Sequence, residues 1–168
     1  MVRLSFILFL TIALGACVTA PKPLQGTFPS SNPAEVATDG NVVRWGGRIL
    51  DTQPGPDRTC IQVLAFVLDG RARPRPTDQS AGRFVACSHG FFDPAVFAPD
   101  RELTVVGTLG GTQMRRIGEF DYRLPVLEAS TLYLWPERVP VVRYDPFWGP
   151  SWGPRWGPHW RGGWHGPW

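Results

Sequence analysis

Three cysteines and three histidines carry the most reactive side chains of this 168-residue chain, and their spacing argues against an enzyme. His89, His159 and His165 form neither an HExxH pair nor a Cys/His metal spacing. His159 and His165 could capture a divalent metal, but two imidazoles without a third ligand make a poor site. Ser88 and His89 are neighbours, and adjacent residues on a strand point to opposite faces, so they do not form a nucleophile–base pair. There is no G-x-S-x-G elbow, and Gly107-x-x-Gly110-Gly111 lacks the following Lys of a phosphate loop. Asp and Glu occur as single turn residues, with no pair poised for acid–base work. No catalytic residue, cofactor or metal centre is expected. Metal binding by the histidines of the tail, or an envelope enzyme, are the competing readings.

Cys17 has a different chemistry. Arg3 precedes an apolar run from Leu4 to Leu14, too short to span a bilayer of ~30 Å as a helix. The stretch Leu14-Gly15-Ala16-Cys17 resembles the lipobox of bacterial lipoproteins. In such signals the thiol takes a diacylglycerol, the chain is cut before the cysteine, and the new amine is acylated. Small side chains fit a narrow cleavage site, and a thiol is the nucleophile that accepts the lipid. The resemblance makes residues 1–16 a signal peptide and Cys17 the carrier of a covalent lipid, the only added group expected. Val18 rather than Asp follows, which implies delivery to the outer membrane. A secretory signal with an incidental cysteine is the other reading. Residues 17–39 continue rich in Pro, Ser and Thr without an apolar period, as a flexible tether holding the folded part off the membrane.

An export signal places Cys60 and Cys87 in an oxidising compartment, where a pair tends to be bonded. Both lie in strand-like runs, TCIQVLAFVLD and GRFVACSH. Antiparallel pairing through the loop 69–81 would set Cys60 opposite Cys87 and Ala81 opposite Phe66. The closed loop of roughly 27 residues is worth on the order of 3 kcal/mol. Two buried free thiols are the alternative. No CxxC is present, so thiol-exchange catalysis is not expected.

The last 24 residues, 145–168, form a low-complexity tail. Trp148, Trp152, Trp156, Trp160, Trp164 and Trp168 recur every four residues. Pro in the repeats forbids a helix, so the segment is read as extended and turn-like, without a fold of its own. Indoles beside Arg155 and Arg161 suit a membrane headgroup region, or stacking on sugars of a partner. A disordered tail produced by repeat expansion is the bland alternative.

Between these ends, residues 40–144 read as the elements that must position everything else. The chain has 17 Lys plus Arg against 14 Asp plus Glu, with no basic run, which argues against nucleic acid. With 19 Gly and 18 Pro an all-helical bundle is excluded. Asn41–Leu50, Thr59–Leu68, Arg83–Cys87, Glu102–Leu109, Gln113–Tyr122, Arg123–Glu128 and Thr131–Trp135 are strand-like, about six strands in all. Gly46-Gly47 suggests a bulge or bend, and Gly110-Gly111 a hairpin turn. Trp45 could be a ligand platform, or could simply pack over the glycines. Phe91-Phe92 before Asp93-Pro94 is read as a turn seating two core rings. The expectation is an all-β, single-domain barrel, closed or partly open, for which an OB-like form is one option.

Four ordered blocks carry a resemblance: VRWGGRIL at 43–50, GRFVACSHGFFDP at 82–94, LTVVGTLGG at 103–111 and IGEFDYRLPVLEASTLYLW at 117–135. In this order they resemble the Slp family of outer-membrane lipoproteins, named for a starvation-inducible member. The resemblance covers nearly all of 14–144 and implies a β-rich, membrane-anchored protein, with a possible link to stress. It implies no activity. The expected role is therefore a non-enzymatic binding or structural component of the bacterial envelope, lipid-anchored and facing the periplasm. Its partners would be outer-membrane lipid, through the anchor, and an envelope protein or peptidoglycan.

Overall fold

The computed structural model describes residues 19–35 and 40–139. Five strands follow a short 3-10 turn (Lys22–Leu24): β1 (Val42–Pro54), β2 (Arg58–Ala65), β3 (Arg83–His89), β4 (Glu102–Ile117) and β5 (Phe120–Leu134). Neighbours run β1-β2-β3-β5-β4, and β4 pairs back onto β1, so the sheet closes on itself. Every pairing is antiparallel except β3 with β5. Closure pairs both edges of the sheet body, while the stretch of β4 and β5 beyond it is paired only within itself. The fold is all-β, and a closed five-stranded sheet with one parallel pair is an OB-like arrangement.

Period-two alternation builds the interior. Ile61, Val63 and Ala65 of β2 point inward with Phe84 and Ala86 of β3 and Leu103, Val105 and Leu109 of β4. Trp45 is 3% exposed and sits edge-on to Phe84, with ring centroids 5.4 Å apart. It is core rather than a ligand platform. Gly46 and Gly47 are not the bulge expected of them. A Cβ on Gly47 would lie 1.8 Å from the Leu64 carbonyl oxygen, so glycine is required for the backbones to approach. The irregularity falls instead between Ile49 and Asp51. Leu50 is the extra residue there, and it restores Asp51 and Gln53 to the outer face.

The strand count is five rather than about six, because the expected hairpin turn is not a turn and neighbouring stretches merge. Gly110-Gly111 lies inside β4, at a register shift between Leu109 and Thr112. The two glycines make a bulge opposite Val126 in place of a hairpin. The chain reverses later, at Gly118-Glu119, between paired Ile117 and Phe120. Gly118 takes φ +62° at the first central position, as a two-residue II′ turn needs. The stretches 123–128 and 131–135 likewise merge into β5, which ends at Leu134. The result is a long β4–β5 arm over residues 112–124.

The tether is also shorter than expected. Residues 19–35 lie against the sheet as a strap. Leu24 is fully buried with Ala72, Val106 and Trp135, and Ala20 and Phe28 pack beside them. Arg44 Nη1 donates to the Leu24 carbonyl (2.6 Å), and Trp45 Nε1 donates to the Ser31 carbonyl (2.9 Å). Only one of the two rings at 91–92 is seated. Phe92 meets Phe97 edge-on at 5.2 Å, whereas Phe91 is 70% exposed.

Candidate functional site

The outer surface of the closed sheet has two flanks. On the β4 flank the strap and the loop 66–76 cover Glu102, Thr104 and Val106. Trp135 Nε1 donates to Thr104 Oγ1 (2.9 Å), and that hydroxyl donates to the Ala72 carbonyl (2.7 Å). The chain holds a loop on a strand with two polar groups that both find partners. Ala72 adopts φ +63°, a strained region for a residue with a Cβ, and this network holds it there. Arg73 Nε donates to Glu102 Oε2 at 2.6 Å, and its guanidinium lies 5.3 Å from the Trp135 ring centroid. A cavity of about 400 Å³ opens between the strap and the end of β1, walled by Phe28, Asn32, Trp45, Phe66 and Leu68.

The other flank is the outer face of β1, β2 and β3, and it is covered only in part. The bulged arm crosses over it, so that Gln113, Met114 and Arg115 oppose Asp51, Gln53, Cys60, Gln62 and Val85. Between them lies a groove of about 340 Å³. Asp51 Oδ2 accepts from Gln53 Nε2 (2.7 Å) and from Arg115 Nη2 (3.4 Å), which ties the arm to the sheet. Three side-chain amides thus line one depression beside an ion pair. Amides both donate and accept, so they suit neutral polar ligands rich in hydroxyl and acetamido groups.

The groove floor is cross-linked. β2 and β3 pair in the register that sets Cys60 opposite Cys87, with Cα atoms 4.1 Å apart, and the sulfurs are bonded. The bridge lies on the outer face, packed with Val85, Leu124 and Val126 rather than in the main core. It fixes the two strands that carry Gln62 and Val85.

Among the other residues singled out by sequence, Ser88 and His89 end β3, and His89 is exposed. Cys17, Trp148, Trp152, Trp156, Trp160, Trp164, Trp168, His159 and His165 lie outside the described residues. Among the described residues, no three His, Cys, Asp or Glu side chains gather as a metal site. No described helix is long and apolar enough to cross a membrane. Sequence reading missed the groove, because its two walls meet only through the bulge at 110–111. It also missed the strap, although a buried Trp45 indole N–H demands an acceptor.

Comparison with known proteins gives one family and several relatives. The model of the outer membrane lipoprotein Slp family matches residues 14–164, so the similarity runs on into the tryptophan-rich tail. An uncharacterized protein of Haemophilus influenzae is 31% identical over 137 residues, covering 77% of this chain and 74% of its own. The uncharacterized lipoprotein YeaY of Escherichia coli K12 is 29% identical over 131 residues, covering 74% and 67%. The outer membrane protein Slp of the same organism is 26% identical over 143 residues, covering 80% and 76%. No solved structure matches. With four sequence blocks in order and a family match over most of its length, the chain belongs to the Slp family of outer-membrane lipoproteins.

Proposed function

We propose that this protein is held in the outer membrane by acyl groups on Cys17 and acts, without catalysis, as a periplasm-facing binding component of the envelope. The groove beneath the β4–β5 arm takes a polar envelope polymer, with peptidoglycan glycan as its first candidate. One observation carries this reading. Gln53, Gln62 and Gln113 converge on one open depression beside the Asp51–Arg115 pair, on a floor cross-linked by Cys60–Cys87. Glycan hydroxyl and acetamido groups match that donor and acceptor set. Fold analogy adds weight of a weaker kind, since closed five-stranded sheets of this sort bind oligosaccharides on the β2–β3 face between the β1–β2 and β4–β5 loops. The tail tryptophans, if they touch the same polymer, provide an auxiliary contact.

Co-sedimentation with purified peptidoglycan tests the reading. Wild type is expected in the pellet, the Gln53→Ala/Gln113→Ala protein in the supernatant, and a deletion of 146–168 weakened but still bound. Pelleting of the double variant at wild-type levels removes the groove from the account. Complete loss on deleting the tail transfers the binding there.

A further inference from the structure

We infer that the β4 flank is the surface that lies on the membrane, with the exposed residues around Lys22, Val67, Arg71 and Arg75 against anionic phospholipid headgroups. The inference rests on the reading of Cys17 as the lipid carrier and adds the orientation of the folded body. Ala20 already packs into the cluster of Leu24, Ala72, Val106 and Trp135. Ala20 is three positions after Cys17, and three extended steps span at most roughly 11 Å. A chain anchored at Cys17 therefore cannot hold the sheet away from the bilayer. The flank that carries the strap is brought to the headgroup layer, whatever path residues 17 and 18 take.

That flank has the right chemistry. Leu68 and Ala72 belong to the cluster that holds Ala20, so the loop 66–76 lies beside the strap. Its two limbs are joined by the Leu68–Pro74 bridge and by Arg75 N–H donating to the Val67 carbonyl (2.9 Å). Val67 is 72% exposed at its edge, an apolar side chain directed to the outside. Lys22, Arg71 and Arg75 are exposed, and none forms an ion pair among the described residues. Two acids lie beside them. Asp69 Oδ1 accepts the N–H groups of Arg71 and Arg73, and Glu102 pairs with Arg73. Among the described residues, three cations without an ion pair outnumber the Asp69 carboxylate here, with one exposed aliphatic side chain, next to the anchor. Juxtamembrane cations of this kind are attracted to anionic lipid.

The groove lies elsewhere on the sheet. Its lining from β1, β2, β3 and the arm includes none of the strap residues packed around Leu24, and only the far end of the strap, Pro33 and Ala34, approaches the arm, which leaves the groove open to the periplasm while the anchor flank is apposed.

The test uses the full acylated protein in vesicles of phosphatidylcholine, with and without phosphatidylglycerol. A photoreactive benzophenone side chain is placed in turn at Gln25, Val67, His89 and Phe120. His89 ends β3 at the pole opposite Ala65, and Phe120 is at the arm tip, 80% exposed. Lipid crosslinks are expected at Gln25 and Val67, rising with phosphatidylglycerol, and at background level at His89 and Phe120. Adding Arg71→Glu with Arg75→Glu should lower the Val67 yield in anionic vesicles by roughly ten-fold or more. Equal yields at all four positions, or the highest yield at Phe120, overturn the assignment of this flank. The N-terminal mass of the same sample separates the two levels of the argument. A chain without acyl groups on Cys17 overturns the anchor itself and this inference with it.

Discussion

The two flanks of one closed sheet differ in how they are finished. The β4 flank is covered by a strap and a loop held by inward hydrogen bonds: Arg44 to Leu24, Trp45 to Ser31, Trp135 through Thr104 to Ala72. The β1–β3 flank is crossed by the arm, which buries Val85, Cys87 and Leu124, but it keeps a groove between arm and sheet and is braced by a cross-link. A covered flank stores stability. A braced, partly covered flank presents a surface that changes little when something binds, which limits the ordering cost of binding. On the proposed reading, the same fold separates the attaching surface from the binding surface.

Substitutions should separate the flanks by what they cost. Trp135→Ala removes a 7%-exposed indole that also completes the Thr104–Ala72 network, and should cost about 3–5 kcal/mol in urea unfolding. Groove binding per folded molecule should not change. Replacing both Cys60 and Cys87 by Ser should cost about 3 kcal/mol by releasing the loop between them, read as a lowered midpoint that reductant does not lower further. If that pair also loses affinity for peptidoglycan while still folded, the brace is part of the binding surface. Arg44→Ala breaks the bond to the Leu24 carbonyl and the stacking on Phe28, 4.8 Å away, for about 1–2 kcal/mol. Its signature is faster hydrogen exchange in residues 20–31 with the sheet still protected. The smallest stability effect belongs to Arg115→Ala. Its pair with Asp51 is a partly exposed contact at 3.4 Å, worth about 0.5 kcal/mol or less. Peptidoglycan co-sedimentation should nonetheless fall, and a protein equally stable and equally bound would mean that the two flanks do not divide the work.

Much of the interior was legible in the sequence. Thr59–Leu68 is apolar on both parities, which marks a buried strand but not its register; antiparallel pairing through the loop 69–81 supplies the register, and a one-residue slip from it would turn Ile61, Val63 and Phe84 outward. The position of Cys60 opposite Cys87 follows from that same register. The arm was not legible, since Gly110-Gly111 has the composition of a hairpin turn and acts as a bulge. Only the competition with Gly118-Glu119, which closes the real turn, decides between them. The strap was hidden for another reason. It is held through its own carbonyl groups, which every residue has, so a Pro- and Ser-rich stretch without periodicity gives no sign of packing. The groove inherits the first difficulty, being made by an arm whose turn at Gly118-Glu119 falls inside the single strand Gln113–Tyr122 that the sequence suggests.

Hydrogen exchange on the acylated protein in anionic vesicles, with and without soluble peptidoglycan fragments, tests the division of labour most directly. The account predicts two separate footprints. Vesicles should protect residues 20–25 and 67–75 relative to detergent. Peptidoglycan fragments should protect 51–62 and 113–115 and leave the first set unchanged. Glycan protection confined to the strap and loop, or membrane protection over the groove, would contradict it.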